Sequence, residues 1–321
     1  MHPYKPAWWL PNGHSQTLWA ALLRKTPAII IKEEQLELPD GDFVDLHWAG
    51  GTKGPIVVVL HGLEGSIHSR YTQGILHAIT EMQWRGVLMH FRNCSTKPNR
   101  QARSYHGGDT GDLDYLIQCL QQREPDCALA AIGYSLGGNV LLKWLGSSGK
   151  QKTPTPLHAA AVVSVPFDFH NAIHTLEHGF SRIYHWHLLQ KLRQSALRKF
   201  EQLPPPFPPT SIRSIRSIRE FDDKVTAVLH GFENVDHYYS VVSSKQYLRD
   251  IQIPTLMIHS EDDPFMTPEA IPQPEDLSAS ITLDLLPAGG HVGFISGSWP
   301  CKSYVWSEKR IIEYFQMTGF E

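Results

Sequence analysis

The chain has 321 residues, 41% of them hydrophobic and 19% charged, with a formal net charge of −3. That is long enough to bury one large core, and the charge gives no reason to expect nucleic acid or an anionic membrane as an obligate partner. The four cysteines, Cys94, Cys119, Cys127 and Cys301, form no Cys-x-x-Cys pair, which argues against a disulfide framework and for a reducing compartment.

Met1–Pro6 lacks the charged-then-apolar layout of a leader, and no apolar run reaches the roughly 18 residues needed to span a bilayer. A cytoplasmic location is therefore expected. Trp8 to Arg24 places a turn signal, Asn12-Gly13, before an amphipathic helical pattern and reads as an N-terminal arm on the body, within residues 1–30. Gln35–Leu38 and Phe43–Trp48 flank Pro39-Asp40-Gly41-Asp42, which predicts an antiparallel hairpin. From Ile56 the pattern changes. Ile56–Leu60 is a continuous β-branched run without alternation, as expected of a parallel strand buried on both faces. Similar runs follow at Val87–Phe91, Leu129–Ile132, Ala160–Val165, Thr255–Ile258 and Ile281–Leu285, most of them separated by helical patterns such as Thr72–Trp84 and Leu113–Gln122. Alternation of this kind predicts an α/β fold, a mostly parallel central sheet with helices on both faces.

Almost ninety residues between the fourth and fifth of these strands carry no strand-like run. They predict a helical cap, residues 166–250, inserted into a core made of 1–165 and 251–321. Within it Phe167–Phe200 has helical spacing, Leu203–Pro209 reads as a stiff linker, and Ser211–Arg219 is Ser-Ile-Arg three times over. On a helix the Ile and Arg stripes of that segment would form an amphipathic surface, which allows a transient contact with a lipid surface. Tyr304–Phe315 reads as a closing helix.

The candidate chemistry centres on Leu129–Gly138. An apolar strand runs into Gly133-Tyr-Ser135-Leu-Gly137 and then into a helical pattern from Asn139 to Leu145. In a Gly-x-Ser-x-Gly elbow the serine sits on a strained strand-to-helix turn with its hydroxyl held out, and the next residue, Leu136, offers a backbone N–H to an oxyanion. A serine hydroxyl is too weakly acidic to attack a carbonyl unaided, so it needs a base, and the base an orienting acid. The fifth strand runs into Ser260-Glu-Asp262-Asp263-Pro264, and the sixth is followed by Gly289-Gly-His291-Val-Gly293. The order Ser, Asp, His, each member just after a predicted strand, makes Ser135 the candidate nucleophile and His291 the candidate base. Asp263, which directly precedes Pro264 at the turn, is chosen as the acid over Asp262. The loop after the first parallel strand, His61-Gly62-Leu63-Glu64, should supply the second oxyanion donor, the N–H of Leu63. His61 is read as a histidine that shapes this loop, and Glu64 as a solvated or loop-pinning charge.

Two other signals compete. His174-Thr-Leu-Glu177-His178 matches H-x-x-E-H, a zinc-protease pattern, but lies inside the expected cap with no clear third ligand. Cys94 lies near basic residues after the second parallel strand, but no separate base is evident for it, so it is read as structural. Neither a metal nor an organic cofactor is expected.

These motifs, together with Asn12–Thr17, His61–Ser66, Tyr105–Asp109, Phe221-Asp-Asp223, Asp236–Tyr239 and Asp262–Phe265, make the sequence resemble the YheT-like branch of the α/β-hydrolase superfamily over most of its length. The resemblance implies an esterase with Ser135, Asp263 and His291 as its triad. Asn93 departs from the family's usual Gly in an Arg-Gly-Cys loop, although Asn also tolerates a left-handed backbone. The expected activity is hydrolysis of small-molecule carboxylic esters, with thioesterase or acylglycerol lipase activity as variants and a non-catalytic binding protein as the alternative from another class. The aromatics Phe180, Tyr184 and Trp186 suggest an apolar acyl group.

Overall fold

Eight strands, β1 (Ile31–Glu37), β2 (Phe43–Ala49), β3 (Ile56–Leu60), β4 (Arg85–Met89), β5 (Leu129–Tyr134), β6 (Leu157–Val163), β7 (Thr255–Ser260) and β8 (Ile281–Leu286), form one sheet in the order β1-β2-β4-β3-β5-β6-β7-β8. They belong to a computed structural model that describes residues 3–204, 206–207 and 209–321. β1 pairs antiparallel with β2 and β2 with β4, while the remaining five pairings are parallel. The hairpin closes at the expected Asp-Gly turn, where Gly41 takes φ 81° and the Leu38 N–H donates to the Asp42 carbonyl. β1 starts at Ile31, ahead of the expected Gln35, because Ile31–Glu34 also pair along β2.

The unalternating apolar runs follow from burial on both sides of the sheet. Ile56, Val58 and Leu60 pack with one apolar cluster, whereas Val57 and Val59 pack with another. The helices are α1 (Gly13–Leu22), α2 (Arg70–Glu81), α3 (Gly111–Arg123), α4 (Leu136–Lys150), α5 (Phe169–Leu176), α6 (Arg182–Phe200), α7 (Pro209–Ser214), α8 (Ile218–Phe221), α9 (Ala227–His230), α10 (Val235–Val242) and α11 (Trp306–Met317). Leu113, Leu116 and Leu120 of α3 and Val140 and Leu141 of α4 cover the first face; Ile75 and Ile79 of α2 and Ile311 and Phe315 of α11 cover the second. The closing helix begins two residues later than expected, because Tyr304–Val305 instead pair with Ile295–Ser296 as a short ribbon, β10 with β9. No described helix is long and apolar enough to cross a membrane.

Helices α5 to α10 all lie between β6 and β7 and share an apolar cluster of their own. The triple Ser-Ile-Arg is not one helix. Ser217 takes extended backbone, and its side chain accepts a hydrogen bond from the Glu220 N–H, so it caps a new helix, α8. Ile212, Ile215 and Ile218 are all buried, at 0%, 1% and 2% exposure, while Arg213 and Arg216 point to solvent. Pro205 and Pro208 of the expected linker lie outside the described residues.

Candidate active site

Ser135 caps α4 with φ 50° and ψ −119°, a strained conformation for a residue with a Cβ. The elbow fits against the loop after β3 because Gly137 has no Cβ: one built there would come within 2.5 Å of the His61 carbonyl oxygen. The Ser135 N–H donates to the Val163 carbonyl at 2.9 Å, which fixes the elbow at the ends of β5 and β6. Leu136 is the first residue of α4, so its N–H has no acceptor within the helix. Gly62 passes close by, since a Cβ built there would lie 3.3 Å from Ser135 Cβ, and the Leu63 amide follows directly after it.

Three side chains from three loops meet in one line. His291 Nε2 lies 3.0 Å from Ser135 Oγ, and its Nδ1 lies 2.9 Å and 3.1 Å from the two carboxylate oxygens of Asp263. Burial pushes the Asp263 carboxyl up, but the attraction and hydrogen bonding of His291, with smaller contributions from His259 and the Phe265 N–H, outweigh it and hold the group below its usual value. With the carboxylate ionised, Nδ1 carries the imidazole proton and Nε2 is free to accept one from Ser135. Asp262 has a different task. Its Oδ1 accepts the Gly290 N–H at 2.8 Å and holds the backbone of the histidine loop.

The surroundings of His291 include contacts that the sequence pattern did not indicate. The Phe265 ring lies parallel to the imidazole at 3.8 Å. Thr17 Oγ1 accepts the His291 N–H at 2.8 Å and donates to the Gly13 carbonyl at 2.7 Å. Ser164 Oγ accepts the Val292 N–H at 2.9 Å. The N-terminal arm is thus a support for the histidine loop. Gly13 is tight against it, because a Cβ there would lie 1.9 Å from the Asp262 carbonyl oxygen.

His61 is fully buried; the Phe91 N–H donates to its Nε2, so Nδ1–H donates to the Gly62 carbonyl at 2.7 Å. Burial lowers it to about 4, so it remains a neutral strut of the loop. Glu64 is pinned rather than solvated. Tyr105 OH donates to Oε1 at 3.0 Å and accepts the Glu64 N–H at 2.8 Å, and burial raises the carboxyl to about 7. Since this folded value is above the ordinary 4.5, the native state holds the proton more tightly than the unfolded chain does. Glu64 therefore costs stability as pH rises from about 4.5 to 7. Glu64→Gln should gain roughly 3 °C in Tm at pH 8 and little at pH 4.5, as read by thermal melts; a gain equal at both values would refute the assignment.

Asn93 adopts the left-handed backbone that a glycine would favour, with φ 71°. Its side chain adds something a glycine cannot: Nδ2 donates to the Ser195 Oγ at 2.8 Å and carbonyl at 3.2 Å, tying the loop after β4 to α6. Asn93→Gly should keep the turn and lower unfolding stability by about 1–2 kcal/mol in denaturant titration. Burial pushes the Cys94 thiol well up, leaving it unreactive. α5 ends at Leu176, so Glu177 and His178 lie past its last turn, and among the described residues no group of three or more ligand-type side chains could hold a metal ion.

Beside the line of three side chains is a narrow pocket with a free volume of about 50 Å³, bounded on the sheet side by Leu63 and Leu136 and overhead by Leu192, Ala196 and Phe200 of α6. Phe221, Val225 and Leu229 close its apolar wall, and Glu64, Asp222 and Lys199 also reach it. This corrects one expectation. Phe180 and Trp186 do not line the pocket but are 49% and 62% exposed on the outside, because the inward side of α6 carries Leu189, Leu192, Ala196 and Phe200. Of the three aromatics only Tyr184 turns inward, its ring tilted against that of Phe265 with the centroids 5.2 Å apart.

A family model described as the alpha/beta hydrolase fold matches residues 55–298. A protein named "Putative esterase YheT" from Escherichia coli (strain K12) is 42% identical over 94% of this chain and 90% of its own length. The human protein named Phospholipase ABHD3 is 29% identical over 94% of this chain and 75% of its own. Among solved structures, the Pyrococcus furiosus esterase Pf2001 superposes with a TM-score of 0.57 at 14% identity, covering 92% of this chain and 98% of that one.

Proposed function

The chain belongs to the α/β-hydrolase family and is a hydrolase of the esterase and lipase type; from that premise we propose that it cleaves carboxylic esters through an acyl-enzyme on Ser135. The observation that carries this reading is the unbroken hydrogen-bonded line from Ser135 Oγ through His291 to Asp263. Ser135 Oγ attacks the acyl carbonyl as His291 Nε2 takes its proton. The developing oxyanion accepts hydrogen bonds from the N–H groups of Leu63 and Leu136. Asp263 holds the Nδ1–H and balances the imidazolium. The alcohol leaves with the proton from Nε2, and a water activated by the same nitrogen then releases the acid. No metal or organic cofactor enters these steps.

The apolar wall of Leu63, Leu136, Leu192 and Phe200 beside the nucleophile supports an apolar acyl group in this pocket. In this reading residues 166–250 are a cap over a core of 1–165 and 251–321. The cysteines, all free among the described residues, support a cytoplasmic location. A series of p-nitrophenyl esters from acetyl to decanoyl tests the proposal. Turnover that rises beyond acetyl is the expected result; turnover greatest on acetyl would contradict the apolar acyl assignment, and none on any ester would favour a binding protein.

A further inference from the structure

Charge is unevenly distributed along this chain. Between Gly179 and Arg219 there are eight Lys and Arg against one acid, Glu201, so this stretch carries +7 in a chain of net −3, leaving −10 on the rest. Much of that charge faces outward. Arg182, Lys191 and Arg198 of α6, Arg213 of α7 and Arg216 after it are exposed. The ion pairs of this region run instead between His185 and Glu177, Arg219 and Asp236, and Lys224 and Glu220. Among the described residues none of the five exposed cations has a carboxylate within ion-pair reach.

The same stretch carries apolar side chains in water: Phe180 at 49%, Ile183 at 53% and Trp186 at 62% exposure. They stand at the edge of the active site, because Ser181 donates to the Pro264 carbonyl at 2.6 Å and Phe180 lies 4.5 Å from the His14 ring. α6 is thus two-sided. Its underside roofs the pocket, while its outer side combines cations that have no carboxylate partner among the described residues with an exposed tryptophan. An acidic protein or a nucleic acid would match the charge but not the cluster of Phe180, Ile183 and Trp186; an anionic bilayer matches both, since cations meet its headgroups and apolar side chains enter its interfacial region.

We propose that the outer face of α6 and α7 docks on an anionic phospholipid surface, setting the pocket beneath α6 close to membrane-borne esters. The buried Ile212, Ile215 and Ile218 anchor the segment so that Arg213 and Arg216 are held outward. Docking is a binding event and is read without turnover, so its test stands apart from the ester-hydrolase reading.

The test is flotation of the full chain with vesicles of phosphatidylcholine alone or with one-third phosphatidylglycerol, at low and high salt. Binding should require phosphatidylglycerol and weaken with salt. Each cation removed should lower the partition about fivefold, so Lys191→Gln, Arg213→Gln and Arg216→Gln together should lower it roughly 100-fold. Trp186→Ala should lower it severalfold, and all these variants should keep native turnover of a soluble short-chain ester, which shows that they are folded. No binding, equal binding to neutral vesicles, a triple variant that binds like the native chain, or preference for a short RNA over anionic vesicles would overturn the proposal.

Discussion

Ser135→Ala and His291→Ala should each lower kcat on a soluble ester by roughly 10⁴-fold or more, and the double variant should be no worse than the poorer single one. The reason is geometric. With Oγ gone, the imidazole 3.0 Å away has no proton to take; with the imidazole gone, the hydroxyl has no base within reach. Groups that act as one unit cannot lose the same function twice. Residual turnover should reflect the Leu63 and Leu136 amides and pocket binding alone. If instead the double variant lost the product of the two single effects, Ser135 and His291 would be acting independently, and the shared-proton mechanism would be wrong.

Asp263→Asn should lower kcat by about 10³ to 10⁴-fold, because an amide can present its N–H₂ to Nδ1 and turn the imidazole to the tautomer that cannot accept the serine proton. Asp262→Asn should cost far less in kcat, about tenfold, since Asn keeps an acceptor for the Gly290 N–H, and it should appear mainly as a loss of thermal stability. Steady-state kinetics on the two variants decides between the adjacent carboxylates. Equal losses, or a larger loss at position 262, would reverse their roles.

The sheet was legible in the sequence because both of its faces are covered. Ile56–Leu60 and Leu129–Ile132 must be apolar at every position, a pattern that neither a half-exposed strand nor an amphipathic surface helix produces. The Ser, Asp and His were legible for a related reason: each follows the end of a parallel strand, so chain order alone brings them to one edge of the sheet.

The helical segment between β6 and β7 was less legible. The inward side of α6 contains Ser195 and Lys199 while Trp186 faces out, so residue type does not report which way a side chain points. Lys199 is tolerated there because it donates to the Arg103 carbonyl, a partner 96 residues away in sequence. Long-range partnering also explains motifs that could be quoted but not given a task. Tyr239 OH donates to Asp222 Oδ2 at 2.8 Å, Tyr238 OH accepts the Gly107 N–H at 2.9 Å, and Asn139 Nδ2 reaches the carbonyls of Gly107 and Val242. These contacts join the inserted helices to the loops around the pocket. Asn12–Thr17 is the same case, since nothing local to it shows that Thr17 supports His291.

The central claim is that Ser135 is activated, and a fluorophosphonate probe tests it most directly, because the probe reacts only with a serine whose proton is being removed and is held by displacement of fluoride. Intact-protein mass spectrometry should find a single adduct on the native chain and none on Ser135→Ala. No adduct on folded native protein, or an adduct that survives in Ser135→Ala, would contradict the claim.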